Sequence, residues 1–186
     1  MNKIIAVVGM CGSGKSVLCD YLVKKGFQCV YFGGVTIDLL KKEGLPITPE
    51  NEKEKREALR KKYGMGAYAI VLLPEIKEAL KKGNVVLDGL YSWDEYKILH
   101  DEFKNNIIMV SLIVDKKIRY SRLSKRKVRP FNNIDAKKRD ISEIENLSKG
   151  GPIVYADYFI DNNKDINNIY TTMDEILKKI EGSKNE

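Results

Sequence analysis

The segment from Gly9 to Ser16 reads GMCGSGKS and constrains the fold of this chain more than any other stretch. It satisfies the G-x-x-x-x-G-K-S pattern of a phosphate-binding loop, in which glycines let backbone N–H groups point into one concave nest. A lysine at the position of Lys15 reaches the β- and γ-phosphates, and a hydroxyl at Ser16 is placed to ligate Mg²⁺. The sequence therefore predicts a nucleoside triphosphate site.

The residues around the loop support this interpretation. Ile4–Val8 is an apolar run of strand length, and apolar residues recur at helical spacing from Val17 to Leu22, before Gly26 as a C-cap. A helix that begins at the loop adds its dipole to the anion site. We therefore expect the nucleotide to contact Gly9, Cys11, Gly12, Ser13, Gly14, Lys15, Ser16 and Val17.

Length and composition indicate one globular domain over residues 1–186, since 43% of the residues are hydrophobic. No apolar run is long enough to cross a bilayer, and the first residues lack a signal-peptide pattern. Cys11, Cys19 and Cys29 lack metal-ligand spacing. We expect them to stay reduced, which favours a cytoplasmic location.

The net charge of +7 indicates anionic partners. The basic excess is concentrated between Lys116 and Arg139, where Asp135 is the single acidic residue. A nucleic acid is not the expected partner, because no aromatic stacking platform is interleaved with these charges.

Apolar runs alternate with helical patterns along the chain, which is typical of βαβ units around a parallel sheet. The predicted strands are Ile4–Val8, Phe27–Phe32, Val85–Leu87, Ile107–Val114 and Tyr158–Ile160.

A helical insertion is predicted at residues 35–82, between the second and third strands. Val35–Glu43 forms its first helix, Thr48 caps a very polar helix that runs to Lys62, and the last helix bends at Pro74. An all-polar helix is weakly tied to a core, so this segment suits a flap that closes over a substrate.

Asp88 ends the apolar run Val85–Leu87 and is followed by Gly89, the form of a Walker B strand. Its carboxylate would hold Mg²⁺ opposite Ser16, directly or through water. The same pattern is also ordinary turn chemistry, but its combination with the N-terminal loop favours the metal-binding interpretation.

Arg122 and Arg126 follow the fourth predicted strand at a spacing of four, which places both on one face of a helix. A planar guanidinium matches the oxygens of a transferring phosphoryl group, and a basic lid over residues 116–140 would also exclude water. The alternative is a solvated helix face. Further candidates are Arg119, Arg129 and Arg139.

Asn162 closes the segment Ala156–Asn162, directly after the last predicted strand. Ligands bind at the carboxyl ends of parallel strands, so Asn162 is a candidate contact to the purine base. A plain turn is the alternative.

The phosphate loop, the Asp88–Gly89 strand end, the Arg-Leu-x-x-Arg pattern that begins at Arg122 and the Ala-Asp-Tyr-x-Ile-x-Asn segment together resemble the nucleoside monophosphate kinase group. Within it the chain is most similar to adenylate-kinase-related and dephospho-CoA-kinase-like proteins, over nearly its whole length. The resemblance implies an α/β P-loop NTPase fold, with a five-stranded parallel sheet in the order 2-3-1-4-5, a helical acceptor flap and an arginine-bearing lid. It also implies that Arg122, Arg126 and Arg139 hold phosphates during transfer.

The chain departs from this pattern where the acceptor binds. Relatives carry Gly-Asp and an arginine where this chain has residues 33–37, and another arginine where it has residues 90–92. Dephospho-CoA kinases of this type place an aspartate base just after strand two, where this chain has Phe32-Gly33-Gly34. Asp38, one helical turn on, is a possible substitute.

The first hypothesis for the function is an ATP- and Mg²⁺-dependent phosphotransferase that acts on a nucleotide, a nucleoside or dephospho-CoA, as a monomer or homodimer. Lys15, Asp88, Arg122 and Arg126 would be its catalytic residues, and Asp38 or Asp88 would be the base for a hydroxyl acceptor. A second hypothesis is a catalytically reduced ATP-binding sensor or partner-binding module. A regulatory GTPase fits least, because the guanine-reading and Asp-x-x-Gly patterns are incomplete.

Overall fold

A computed structural model describes residues 2–127 and 130–182. Five strands form one sheet: β1 (Ile4–Val8), β2 (Gln28–Tyr31), β3 (Val85–Asp88), β4 (Ile107–Ile113) and β5 (Tyr158–Asp161). All neighbouring strands run parallel, in the order β2-β3-β1-β4-β5. This topology confirms the predicted α/β fold and strand order.

Helices cover both faces of the sheet. In chain order they are α1 (Lys15–Lys24), α2 (Gly34–Lys42), α3 (Pro49–Tyr63), α4 (Ala67–Lys82), α5 (Trp93–Phe103), α6 (Lys116–Ser124), α7 (Asn133–Glu145), α8 (Gly150–Val154) and α9 (Asn167–Gly182). A 3₁₀ turn at Lys104–Asn106 precedes β4.

The central strand β1 is buried on both faces, as expected for a parallel strand between helical layers. Ile4, Ala6 and Val8 belong to the core cluster that includes residues of α4 and α5, whereas Ile5 and Val7 belong to the cluster with α1 and α9. The period-two alternation of side chains explains this division. The phosphate loop follows directly after Val8, the last residue of β1.

The insertion forms three helices, α2 to α4, as the sequence predicts. The Thr48 hydroxyl caps α3 by accepting from the Asn51 amide at 3.2 Å. The Thr36 and Tyr68 hydroxyls form a buried hydrogen bond of 2.6 Å between α2 and α4. Pro74 lies inside α4, which is continuous from Ala67 to Lys82.

In the described ranges, no helix combines the length and the apolarity that a membrane crossing needs.

The start of α5 contains a buried carboxyl group. Ser92 and Glu95 form a reciprocal capping box, and Glu95 also accepts from the Tyr91 amide at 2.8 Å. Glu95 is only 1% exposed, and this burial raises the pKa of its carboxyl to about 7, against the opposing effect of the two backbone N–H donors.

We expect Glu95 to make folding stability depend on pH. Because the folded pKa is raised, protonation stabilises the native state; this contribution is complete below the unfolded value of 4.5 and is lost as the pH rises through about 7. The melting temperature of the wild type relative to Glu95→Gln should therefore be higher at pH 5 than at pH 8. Asp94→Asn, at the neighbouring position, is the control. A pH-independent difference would contradict this prediction.

Candidate nucleotide and acceptor site

The phosphate loop lies between β1 and α1 in the conformation that its glycines allow. Gly9 has φ 145° and Gly14 has φ 97°, both in the region that side chains disfavour. A Cβ atom at Gly9 would lie 2.8 Å from the Leu112 carbonyl oxygen, and one at Gly14 would lie 2.6 Å from Nδ2 of Asn162. Both positions therefore require glycine, through conformation and through close approach.

The Lys15 ammonium group lies against the loop, where it donates to the carbonyl oxygens of Gly9 at 2.9 Å and Met10 at 3.2 Å. Burial lowers its pKa to about 8, and the nearby positive charge of Lys149 adds to this effect. A buried cation with this low a pKa is stabilised by an incoming anion, as expected of a phosphate-binding lysine.

Asn162 supports the loop from the end of β5. Its Nδ2 donates to the Ser13 carbonyl oxygen at 2.8 Å, and the residue is 4% exposed. The amide is therefore committed to the loop backbone rather than turned outward to a base. Arg122 joins this arrangement by donating from Nη2 to the Asn162 carbonyl oxygen at 2.9 Å.

Arg122 also carries a donor that the protein does not use. Its Nη1 is buried and has no hydrogen-bond partner within residues 2–127 and 130–182. Buried polar groups are normally satisfied, so an orphaned guanidinium nitrogen on a residue that is joined to the phosphate loop through Asn162 fits an anion ligand.

Arg119 also supports the loop. It is 6% exposed and forms a fork with Asp140, donating from Nη1 at 2.9 Å and from Nη2 at 2.6 Å. Nη1 also donates to the Cys11 carbonyl oxygen at 2.9 Å. Since Asp140 belongs to α7, this bidentate pair fixes the basic region to the phosphate loop, and Arg119 is a supporting residue in this structure.

The prediction that Arg122 and Arg126 share a helix face is wrong. Helix α6 ends at Ser124, and the Leu123 carbonyl oxygen accepts from the amide of Phe131 at 3.1 Å, so the chain turns back before another helical turn forms. Arg126 nevertheless lies at the loop, with Nη1 4.0 Å from Sγ of Cys11. The other predicted candidate, Arg129, lies outside the described residues.

Ser16 and Asp88 supply oxygen donors of the type that Mg²⁺ prefers. Asp88 ends β3 beside Val7 of β1, two residues before the loop begins, and Ser16 lies in the first turn of α1. Burial raises the pKa of Asp88, and the nearby charge of Lys15 opposes this shift. One carboxylate, one hydroxyl and nucleotide phosphates would make a suitable donor set for Mg²⁺, which keeps several waters.

Sequence reasoning missed a buried ion pair, whose charges act on the pKa of Lys15. The Lys149 ammonium donates to Oε2 of Glu143 at 2.7 Å, and Nε of Arg139 donates to Oε1 of the same carboxylate at 2.8 Å. Burial acts to raise the pKa of Glu143, but Lys149 and Arg139 together hold it below its usual range. The carboxylate is therefore ionised at neutral pH.

A cavity of about 880 Å³ is bounded by α3 on one side and α7 on the other. Its lining includes Arg56 and Arg60 of α3 and Arg139 of α7, with three aromatic side chains from Tyr31, Tyr68 and Tyr91. We call this cavity the acceptor cleft; Arg139 is one of the arginines that the sequence predicted, whereas Arg56 and Arg60 were not among the candidates. Asp38, the suggested substitute base, is exposed and is not among the lining residues.

The arginines of α3 lie one helical turn apart. Arg56 is 3.6 Å from Glu52, and the Arg60 guanidinium lies 6.0 Å from the ring centroid of Tyr68. Nε of Arg60 is buried and lacks a hydrogen-bond partner in the described part of the chain. The i, i+4 spacing in the polar helix was the one sequence signal that could have indicated this pair.

Comparison with known proteins places the chain in a family. A family model described as an AAA domain matches residues 5–145. A UPF0200 protein from Pyrococcus horikoshii is 30% identical over 184 residues, which cover 95% of this chain and 97% of the relative. A UPF0200 protein from Thermococcus kodakarensis is 32% identical over 185 residues, 95% of this chain and 100% of the relative. The chain belongs to the UPF0200 family.

Solved structures support the fold of this UPF0200 chain. Shikimate kinase from Acinetobacter baumannii in complex with shikimate is similar with a TM-score of 0.64 and 20% identity, over 100% of this chain and 97% of that one. Shikimate kinase from Bacteroides thetaiotaomicron gives a TM-score of 0.60 and 14% identity, over 96% and 98%. At these identities the likeness establishes a P-loop kinase-like fold and leaves the substrate to be inferred from the site.

We expect Asn162→Ala to weaken nucleotide binding, because the Ser13 carbonyl loses its buried donor and the loop loses a support. A loss of about fivefold to tenfold in ATP affinity corresponds to one buried hydrogen bond. Isothermal titration calorimetry measures the change. Asn168→Ala is the matched control, since Nδ2 of Asn168 donates to the Asp161 carbonyl oxygen at the same 2.8 Å but at an exposed position. Equal effects of the two substitutions would contradict the prediction.

Proposed function

We propose that this UPF0200 protein is an ATP- and Mg²⁺-dependent phosphotransferase that transfers the γ-phosphoryl group to a small molecule in the acceptor cleft. The observation that carries this proposal is the pair of orphaned guanidinium nitrogens, Nη1 of Arg122 at the phosphate loop and Nε of Arg60 in the cleft. Arg60 shares the lining of the cleft with Arg139, whose Nε donates to the Glu143 carboxylate.

On the donor side, the amides of the phosphate loop bind the triphosphate and Lys15 neutralises charge on the β- and γ-phosphates. Ser16 and Asp88 are the candidate Mg²⁺ ligands; the ion would neutralise charge between the two phosphates. Arg122 and Arg126 stand at the loop to bind the phosphoryl group in transfer. Regions 116–140 and 35–82 take the roles of lid and acceptor flap in this proposal.

On the acceptor side, the cleft favours a molecule that carries a phosphate monoester. Arg56 and Arg60 offer two guanidinium groups to an anion, and a guanidinium matches phosphate geometry. The carboxylates of the cleft are already paired: Glu52 with Arg56, Glu57 with Lys53, and Glu143 with Arg139 and Lys149. A hydroxyl acceptor would lack a free base, whereas a phosphate is already ionised at neutral pH.

The reaction is then balanced without a protein base. An oxygen of the acceptor phosphate forms a bond to the γ-phosphorus while the bond from the γ-phosphorus to the β,γ-bridging oxygen breaks. ADP leaves with the electron pair of that bond, and the acceptor becomes a diphosphate. The three tyrosines of the cleft suit a planar ring on the acceptor, such as a nucleobase.

We expect transfer from ATP in the presence of Mg²⁺ and pooled nucleoside monophosphates, observed as new diphosphate resonances by ³¹P NMR. Lys15→Met should abolish these resonances, because the charge on the transferred group is no longer neutralised. Parallel samples contain nucleosides or dephospho-CoA in place of the monophosphates. If the wild type binds ATP and phosphorylates none of the acceptors, the sensor hypothesis is favoured and the proposed activity is contradicted.

Arg60→Gln should reduce kcat/KM for the monophosphate acceptor by about tenfold to a hundredfold, as expected for the loss of a charge-assisted hydrogen bond. Affinity for ATP should stay unchanged. Lys61→Gln is the matched control, because it removes the same charge from the next residue of α3 outside the cleft. Equal rates for Arg60→Gln and Lys61→Gln would show that the acceptor does not contact Arg60.

A further inference from the structure

The strongest unassigned feature of the molecule is the buried charge cluster of Glu143, Lys149 and Arg139. Glu143 and Lys149 are 2% and 1% exposed, and Lys149 is among the largest fully buried side chains. Lysine and glutamate are almost never buried to this extent unless they are paired. One carboxylate binds both cations, Arg139 through Oε1 and Lys149 through Oε2.

The backbone places Lys149 for this contact. After α7 ends, Ser148 adopts a left-handed conformation with φ 49°, and the Lys149 amide donates to the Glu143 carbonyl oxygen at 3.2 Å. Lys149 is thus joined to Glu143 through both main chain and side chain. Its ammonium group lies 4.7 Å from the ring centroid of Tyr91, which also lines the acceptor cleft.

Stability does not explain why such a pair is present. Removing two charges from water costs about as much as their attraction returns, and apolar replacements of similar volume are often equally stable. A geometric role explains the arrangement better. Glu143 lies one turn after Arg139 on α7, so a carboxylate fixed by Lys149 restricts the position of the Arg139 guanidinium.

This cluster lies where the two halves of the proposed site meet. Arg139 and Glu143 both line the acceptor cleft. On the other side, Asp140, which follows Arg139 on α7, binds Arg119, and Nη1 of Arg119 also donates to the Cys11 carbonyl oxygen of the phosphate loop. Arg139 therefore belongs to a helix that is joined to the phosphate loop and also lines the cleft.

We propose that Glu143, fixed by Lys149, positions the Arg139 guanidinium toward the γ-phosphoryl group of ATP, so that Arg139 can take the phosphate-holding role that the family resemblance implies for it. The inference rests on the proposed function, since it assumes that the phosphate loop binds ATP. The ion pair uses Nε of Arg139. The terminal nitrogens of the guanidinium then provide the contacts to phosphate oxygens. Glu143 and Lys149 act through Arg139 and do not contact the nucleotide.

The test is the preference for a γ-phosphate, measured as the ratio of MgADP to MgAMP-PNP dissociation constants by calorimetry. It needs no acceptor. We expect Arg139→Gln to lower this ratio by about tenfold. The neutral double variant Glu143→Gln/Lys149→Met should lower it to a similar extent while MgADP affinity stays within about twofold of the wild type. Combining all three substitutions should lower the ratio no further, because Lys149 and Glu143 act through Arg139.

The double variant is chosen because Glu143→Gln alone leaves the Lys149 charge buried without a partner, which can prevent folding. Melting curves and circular dichroism check that each variant folds. Lys77→Met/Glu102→Gln is the matched control, since it removes a surface pair of the same residue types between α4 and α5. That control should leave the ratio unchanged.

Three results would overturn the inference. The first is a normal preference for MgAMP-PNP in Arg139→Gln, and the second is the absence of such a preference in the wild type. The third is a normal preference in the neutral double variant when Arg139→Gln has lost it, which would show that Arg139 needs no positioning. Failure of the proposed function is distinguishable, because it appears as absent nucleotide binding or as absent transfer in the ³¹P NMR assay.

Discussion

The site depends on the hydrogen bonds that hold two carbonyl groups of the phosphate loop. Asn162, at the end of β5, donates to the Ser13 carbonyl, and Arg119, on α6, donates to the Cys11 carbonyl. Successive backbone N–H groups of a turn form a concave nest that binds an anion. Hydrogen bonds to the carbonyl oxygens of the loop hold the backbone in that conformation. Both contacts come from elements at the carboxyl ends of neighbouring parallel strands, so the sheet order itself preorganises the loop.

The same contacts connect the loop to the acceptor side. The Asp140 carboxylate accepts hydrogen bonds from both terminal nitrogens of Arg119. Asp140 follows Arg139 on α7, and Arg139 donates to Glu143. Helix α7 therefore carries one residue that supports the phosphate loop and another that lines the acceptor cleft. Any movement of α7 would alter both halves of the site together, which suits an element that excludes water during phosphoryl transfer.

Local patterns predicted the strands and the phosphate loop, because the residues that determine a strand, a glycine-rich turn or a helix lie within a short segment. The strand order of the sheet was implied by the family resemblance. Long-range contacts could not be predicted in this way: the bond between Asn162 and Ser13 joins residues 149 positions apart. Lys149 stands before two glycines and reads as a loop residue, and its burial depends on Glu143 and Tyr91 meeting in space. Arg56 and Arg60 of the cleft were missed because the polar sequence of α3 has no continuous apolar face to show which side is inward.

The central claim is that two phosphate sites, the loop and the acceptor cleft, are filled at the same time with Arg139 between them. The most direct measurement is a calorimetric titration of MgAMP-PNP into the protein with and without a saturating nucleoside monophosphate. We expect MgAMP-PNP to bind with one-to-one stoichiometry and with equal or higher affinity when the monophosphate is present. Competition between the two ligands would contradict the claim, because it would mean that they share a single site.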